Sequence, residues 1–153
     1  MGLIDFLSGI QLNKGGLRVG LDTALFIYYI EDHPQWAARV APIFEGFDRG
    51  DLQAFTSELT LLETLVLPYR VGDQALTRAY EHLLTRSRGL TLVPIDRQAL
   101  RSAALLRARL STRTPDALQL AAALENRCHA FVTNDRRLPK LDQMKIVQLS
   151  ELG

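Results

Sequence analysis

Cysteine and histidine are scarce in this chain. It has one cysteine, Cys128, and three histidines among 153 residues. A single cysteine cannot form an internal disulfide, and nothing in the sequence has the spacing of a Cys/His zinc site. Residues 1–16 have no basic stretch ahead of their apolar residues and include Asp5, which is unlike a secretory leader. We therefore expect an intracellular, cytoplasmic protein.

Long hydrophobic runs and a strong net charge are also missing. Apolar runs such as residues 59–62 and 121–124 are far too short to cross a bilayer. The net charge is +1, so the total charge does not indicate a nucleic-acid binder. With 47% hydrophobic and 23% charged residues, the composition is that of an ordinary globular domain with one core. The function must therefore be sought in local patterns.

Positive charge is concentrated in one segment of the chain. Residues 86–113 contain seven arginines and one acidic residue, Asp96. Guanidinium groups match phosphate oxygens, so the excess is consistent with a nucleic-acid backbone as partner, although arginines on helices are as often solvated surface residues. The seven are Arg86, Arg88, Arg97, Arg101, Arg107, Arg109 and Arg113.

Short apolar segments alternate with longer segments that have helical periodicity. The predicted strands cover residues 17–21, 52–56, 90–93, 130–133 and 145–149, and the predicted helices cover residues 35–47, 58–67, 74–84, 97–110 and 114–125. This alternation predicts an α/β fold, in which a mostly parallel sheet of four to five strands has helices on both faces.

Three local signals predict helix ends. The helix that starts near residue 58 is expected to stop at Pro68, because proline has no N–H for the helical ladder. Asp96 is a good N-cap for the helix that follows it. Thr114 is expected to cap the last helix, with Pro115 at its first position and Asp116 near the positive end of the helix dipole.

Four carboxylates lie where groups from a parallel sheet can meet. Asp22 and Asp135 follow predicted strands, Glu63 lies about two turns into the helix after the second strand, and Asp116 lies in the first turn of the last helix. Functional groups in open parallel sheets collect at the carboxyl ends of strands, near a change in strand order. We therefore expect the four carboxylates to converge at one end of the sheet.

Carboxylates packed together raise one another's pKa, and a hard divalent cation removes that penalty. Magnesium and manganese prefer oxygen ligands, and two such ions about 4 Å apart can promote phosphodiester hydrolysis. Each acid also has a structural alternative. Asp22 could end a strand, Asp116 could be a helix-start charge, Asp135 could be a turn residue, and Glu63 could occupy the polar side of an amphipathic helix.

At these positions the sequence resembles the PIN-domain family, especially the toxin nucleases of bacterial toxin–antitoxin pairs. The matching segments are GLDTALFIYYIE, TSELTLLETL, TPDALQLAAAL and FVTNDRRL, in the family's order and spacing. Each segment alone is a weak signal, and the four together are specific. The resemblance covers most of the chain from about Leu17. Residues 17–153 would form a PIN-like nuclease domain, and residues 1–16 would be an N-terminal extension.

The resemblance implies a flavodoxin-like three-layer sandwich and a ribonuclease that depends on Mg²⁺ or Mn²⁺ and selects single-stranded RNA. Asp22, Glu63, Asp116 and Asp135 would be the catalytic, metal-binding acids, with Asp22 and Asp116 closest to the principal ion. A cognate antitoxin whose tail covers the acids, and a homodimer, are further implications. Thr133 and Asn134 could orient the last acid or a metal-bound water, and Ser57 could support the site or cap the helix that follows it. The candidates for phosphate contacts are Arg113, Arg136 and Arg137, which flank the acids.

Other families fit these residues less well. A phosphatase of the haloacid-dehalogenase type needs a second aspartate where this chain has Ala24, and a response-regulator receiver needs an acidic pair that Asp22 lacks. Structure-specific DNA nucleases carry more acids and long insertions, for which this chain lacks room. A PIN-fold interaction or RNA-binding module with weak or no catalysis is the non-enzyme alternative.

Residues 1–16 are the main departure from the family pattern, in which the first strand comes almost at once. Phe6, Leu7 and Ile10 could form a short apolar helix that packs on the core, on a second subunit or on a partner, with Gly15 and Gly16 as a hinge.

Overall fold

Parallel strands form the centre of the fold, seen in a computed structural model that describes residues 2–7 and 16–153. Within those residues the sheet has five strands in the order β3-β2-β1-β4-β5, and all neighbouring pairs are parallel. Because the order changes direction at β1, a crevice opens at the carboxyl ends of β1 and β4. The strands are β1 (Leu17–Leu21), β2 (Leu52–Ser57), β3 (Leu90–Val93), β4 (Ala130–Thr133) and β5 (Lys145–Gln148).

Helices connect the strands and cover both faces of the sheet. They are α1 (Leu3–Phe6), α2 (Thr23–Ile30), α3 (Ala37–Arg49), α4 (Leu59–Val71), α5 (Gln74–Arg86), α6 (Arg97–Arg109) and α7 (Thr114–Glu125), followed by a short 3₁₀ turn at Leu149–Glu151. The predicted α/β class with a parallel central sheet is confirmed. β1, β3 and β4 have the predicted bounds, whereas β5 ends one residue earlier, at Gln148.

The two faces of the sheet pack against separate sets of helices. Val19 and Leu21 of β1 point into one core with Leu25 and Phe26 of α2 and the apolar side of α3. Phe131 of β4 points to the opposite face, into a core that includes the apolar side of α7. Successive strand residues alternate between faces, so one sheet supports both cores. The result is a three-layer sandwich.

Gly20 allows α7 to approach the sheet closely. A Cβ atom at Gly20 would lie 2.7 Å from Cβ of Ala123 and 2.8 Å from Cδ1 of Phe131. Both distances are shorter than non-bonded carbon atoms tolerate. The missing side chain therefore sets the distance between β1 and the C-terminal part of α7.

The prediction that the helix after β2 stops at Pro68 is wrong. α4 continues through Pro68 to Val71 and ends at Gly72, which has a left-handed φ of 71°. The N–H of Asp73 donates to the carbonyl of Pro68 at 2.9 Å, which closes the last turn. Pro68 is buried where α4 packs on α5. Tertiary packing therefore outweighs the one helical hydrogen bond that proline removes.

The start of α7 also differs from the prediction. Arg113 occupies the N-cap position without a side-chain cap, and Thr114 is already helical. The Thr114 hydroxyl accepts a hydrogen bond from Nη1 of Arg107 at 2.9 Å, so it is engaged by α6. The cap predicted at Asp96 is confirmed, because its Oδ1 accepts from the N–H of Ala99 at 2.9 Å.

The described part of the N-terminal extension packs on the core. α1 is one turn long, and Leu3 and Leu7 are buried in the same apolar cluster as β1 and α3. Of the alternatives for this segment, packing on the core is the one observed for residues 2–7. Ile10 and Gly15 lie outside the described residues. Among residues 2–7 and 16–153 no helix combines the length and apolarity needed to cross a membrane.

Candidate active site

The four predicted acids line one cavity at the carboxyl end of the sheet. The cavity has a volume of about 550 Å³, and Asp22, Glu63, Asp116 and Asp135 all contribute to its wall. They come from four different elements: the start of α2, the second turn of α4, the first turn of α7 and the loop after β4. The fold therefore brings together the acids that the sequence placed far apart.

Asp22 is held between two donors. Its Oδ1 accepts from the N–H of Thr23 at 2.9 Å, and its Oδ2 accepts from the hydroxyl of Thr133 at 2.6 Å. Burial raises the pKa of this carboxyl above its usual range, against the opposing effect of the two hydrogen bonds, and the nearby charges of Asp116 and Glu63 raise it further. A cation would stabilise Asp22 in its ionised form.

Glu63 is the most exposed of the four acids, yet it is anchored. Its Oε1 accepts a hydrogen bond from the hydroxyl of Thr23 at 2.8 Å. Thr23 therefore donates to two of the acids, through its backbone to Asp22 and through its side chain to Glu63. This contact joins α2 to α4 at the rim of the cavity.

Asp116 and Asp135 are paired with arginines. Nε of Arg113 lies 3.3 Å from Oδ2 of Asp116, and its Nη2 lies 3.9 Å from Oδ2 of Asp135. Arg137 forms a two-pronged contact with Asp135, with both N···O distances at 3.0 Å. The hydrogen bonds from Arg137 lower the pKa of Asp135, although burial opposes them. Both carboxyl groups are thus paired with a guanidinium group.

Three polar residues beside the acids have distinct contacts. The hydroxyl of Thr133, besides donating to Asp22, accepts from the N–H of Asp135 at 3.0 Å. Nδ2 of Asn134 donates to the hydroxyl of Tyr28 at 3.0 Å, on the cavity wall. Ser57 accepts from the N–H of Leu59 at 3.1 Å, so its side chain helps to start α4.

Comparison with known proteins places the chain in a family. The family model of the PIN domain matches residues 19–144. This chain belongs to the PIN domain family. No protein of curated function matches its sequence.

Solved structures similar to this PIN domain come from toxin–antitoxin complexes. VapBC2 from Rickettsia felis, bound to a promoter DNA fragment, matches with a TM-score of 0.65 and 15% identity over 85% of this chain and 97% of that one. A toxin–antitoxin complex from Klebsiella pneumoniae gives 0.62 and 17%, over 88% and 98%. DNA-bound VapBC from Salmonella typhimurium gives 0.60 and 21%, over 87% and 98%. At these identities the likeness establishes the fold.

The arginines near the acids divide into two groups. Arg113 and Arg137 line the acid cavity of the PIN domain, whereas Arg136 lines a separate groove with Lys140 and Glu151. Of the seven arginines in the basic segment, which are all exposed, Arg113 is the one that lines the cavity. Of the three arginines expected to contact phosphate, Arg113 and Arg137 therefore lie beside the acids and Arg136 lies in the other groove.

The donor set of the cavity suits a hard divalent cation. Its four acids offer oxygen ligands, with no imidazole or thiol among the residues of its wall. Among the described residues, no three Asp, Glu, His or Cys side chains are arranged so that they could hold an ion as they stand. Glu63, Arg113 and Arg137 are exposed, so rotation of these side chains would make the carboxylate oxygens available to an ion. The residues fit Mg²⁺ or Mn²⁺ in chemistry.

A buried polar cluster beneath the acids was not anticipated from the sequence. Thr23, Thr56, Thr60 and Gln119 are all buried and hydrogen-bonded to one another. Buried polar side chains need such partners to offset the loss of water. One signal was present, because Gln119 is the single polar residue in the apolar run ALQLAAAL of α7.

Proposed function

We propose that this PIN domain is a divalent-metal-dependent ribonuclease that hydrolyses RNA phosphodiester bonds, and that it is the toxin of a toxin–antitoxin pair. The observation that carries the proposal is the convergence of four carboxylates from four elements on one open cavity, beside two arginines. Such a cluster is costly without cations, and phosphodiester hydrolysis uses such cations.

In this proposal Asp22, Glu63, Asp116 and Asp135 hold Mg²⁺ or Mn²⁺. The ion would supply Lewis-acid polarisation of a phosphoryl oxygen and an activated water. Thr133 and Thr23 keep the carboxylate of Asp22 oriented toward the cavity. Arg113 and Arg137, which now neutralise Asp116 and Asp135, are free to turn to RNA phosphate once a cation takes over that role.

The partners in this proposal are RNA, an antitoxin and a second copy of the chain. The similar solved structures are toxin–antitoxin complexes by name, which supports an antitoxin as partner. An antitoxin tail that enters the acid cavity would need positive charge to pair with the carboxylates. Single-stranded or structured RNA is the substrate class, and homodimerisation follows from the family resemblance.

The decisive experiment is a cleavage assay on single-stranded RNA with Mn²⁺, Mg²⁺ or EDTA. Asp22→Asn and Asp116→Asn are compared with Asp48→Asn, an exposed acid of α3 outside the cavity. Cleavage that requires metal, is lost in the first two variants and persists in the third is the expected result. Cleavage that persists in EDTA would overturn the metal requirement.

A second candidate is an interaction or RNA-binding module with weak or no catalysis. The arginine pairs of Asp116 and Asp135 favour it, because they neutralise the acids without metal. Calorimetric titration with Mn²⁺ separates the two functions. Absence of both metal binding and cleavage would support the module and refute the enzyme.

A further inference from the structure

Gln119 lies at the centre of the buried cluster beneath the acids. It is one turn after Asp116 on α7, and its side chain is only 3% exposed. Its amide contacts residues of three other elements, namely Thr23 of α2, Ser57 of β2 and Thr60 of α4. A single buried side chain thus connects the helices that carry Asp22, Glu63 and Asp116.

The orientation of the Gln119 amide follows from one backbone donor. The N–H of Ser57 donates to Oε1 of Gln119 at 3.1 Å, so this atom must be the carbonyl oxygen. Nε2 then faces the hydroxyls of Thr60 at 2.8 Å and Thr23 at 3.2 Å. Both hydroxyls accept an amide proton from Gln119.

This arrangement decides where the hydroxyl protons go. Each threonine has one proton to donate. Thr56 can donate to the carbonyl of Leu21 at 2.9 Å, and Thr60 can donate to Thr56 at 2.7 Å. Thr23, which accepts from Gln119, has its shortest acceptor in Oε1 of Glu63 at 2.8 Å, because Thr60 lies 3.1 Å away and already accepts from Gln119. Each of these three threonine hydroxyls then both donates and accepts a hydrogen bond.

We propose that Gln119 is a positioning residue for Glu63, acting through the Thr23 hydroxyl; the inference rests on the proposed function of the acid site. Oγ1 of Thr60 lies 3.1 Å from Oγ1 of Thr23 and is the competing acceptor for its proton. When Gln119 donates to both threonines, one lone pair of Thr60 is occupied, which favours Glu63 as the acceptor of the Thr23 proton. Without these donors, Thr23 can turn to Thr60, and the exposed Glu63 side chain loses its anchor.

The simpler role for Gln119 is to hold α7 against β2 and α4. That role predicts a loss of stability without any change at Glu63. The positioning role predicts in addition a weaker metal site, because groups that orient metal ligands typically contribute about 10- to 100-fold to affinity or activity. It also predicts that the effect passes through Thr23.

The experiment is a double-mutant cycle of Gln119→Met and Thr23→Val, with Mn²⁺ affinity, kcat on a single-stranded RNA oligonucleotide and thermal stability as readouts. Thr23→Ser retains the hydroxyl and serves as the conservative variant. Gln98→Met is the matched surface control. Leu84→Ala, in the apolar core that also contains Val19 and Leu21, controls for a general loss of stability.

We expect Gln119→Met and Thr23→Val each to weaken Mn²⁺ binding by about 10-fold, and the double variant to be no worse than the single ones. Thr23→Ser should keep Mn²⁺ affinity close to that of the wild type. Leu84→Ala should lower thermal stability without changing Mn²⁺ affinity. Wild-type affinity in Gln119→Met, or additive effects in the double variant, would overturn the inference.

Crystal structures without metal distinguish a failure of the proposed function from a failure of the Gln119 inference. If the wild-type chain neither binds Mn²⁺ nor cleaves RNA, the contact between Thr23 and Glu63 can still be compared in the wild type and in Gln119→Met. Loss of this contact in the variant supports the positioning role. Its retention overturns it, whatever the activity of the domain.

Discussion

The hydroxyl of Thr133 donates a 2.6 Å hydrogen bond to Asp22, which is 111 residues away in the sequence. The same oxygen accepts from the N–H of Asp135 at 3.0 Å, so one buried side chain organises two of the acids. It lies at the end of β4, next to β1 in the sheet. The strand order thus places a threonine where a carboxylate needs a donor.

Thr133→Val tests this contact, because valine has nearly the same shape and no hydroxyl. We expect the free energy of unfolding to fall by about 1–3 kcal/mol, since a buried acceptor loses its partner. RNA cleavage should fall as well. Thr133→Ser should retain most of both properties. Urea denaturation and the cleavage assay measure the effects, and equal behaviour of the valine and serine variants would contradict the assigned role.

Arg136 and Arg137 form a matched pair of neighbours in different environments. Arg137 lines the acid cavity and Arg136 does not. In an Asp22→Asn background that leaves RNA intact, Arg137→Ala should weaken binding and reduce the slope of log K against log salt by about 0.7, the value for one single-strand phosphate contact. Arg136→Ala should change neither quantity. A larger effect of Arg136 would place the RNA in the other groove.

Metal binding should stabilise the folded domain. A ligand at about 100 times its dissociation constant adds about 2.7 kcal/mol to the free energy of unfolding. Mn²⁺ should therefore raise the melting temperature, EDTA should reverse the rise, and Asp22→Asn should abolish it. Differential scanning fluorimetry at several Mn²⁺ concentrations measures this shift. An equal rise in Asp22→Asn would mean that the ion binds elsewhere.

Gly20→Ala tests the close approach of α7 to the sheet. The new Cβ would meet Ala123 at 2.7 Å and Phe131 at 2.8 Å, so α7 or the ring must move. Overpacking of this kind costs about 1–3 kcal/mol. Gly153→Ala, whose added Cβ has no neighbour within 4 Å, is the control. Wild-type stability in Gly20→Ala would show that α7 shifts at little cost.

Cys128 should be inert in the folded protein. Burial raises the pKa of its thiol to about 12, against a small opposing effect of Arg18. The thiolate is the reactive form, so alkylation by iodoacetamide at pH 8 should be far slower in the native than in the unfolded chain. Because the pKa is higher in the folded state, the thiol's contribution to stability is present below about pH 9 and declines as pH rises toward 12. Equal native and unfolded rates would contradict this assignment.

Much of the fold was predictable because its signals are local. Apolar runs of strand length predicted β1, β3 and β4 with their observed bounds. α2 was not predicted as a helix, because its sequence TALFIYYI is apolar on nearly all sides and has no helical period. α4 runs beyond Pro68 for a different reason, since packing on α5 overrides a strong local signal.

Some residues of the candidate site could likewise be predicted from local signals, and others could not. Asp22 and Asp135 were predictable from their places after strands, because parallel strands end at one edge of the sheet. Arg136 and Arg137 could not be told apart, since adjacent loop residues point in directions that only the folded chain defines. Gln119 stood out as a polar residue in an apolar helix, but its partners come from distant segments.

The sequence by itself determined the α/β class and the order of most elements, because periodicity and strand ends are properties of neighbouring residues. Its motifs predicted the four acids. Only the tertiary structure decided which arginines face the acids, how Asp22 is held and how Gln119 reaches Glu63 through Thr23. Hydrogen bonds and burial depend on distances between segments far apart in the chain, and these distances exist only after the sheet and its helices have packed.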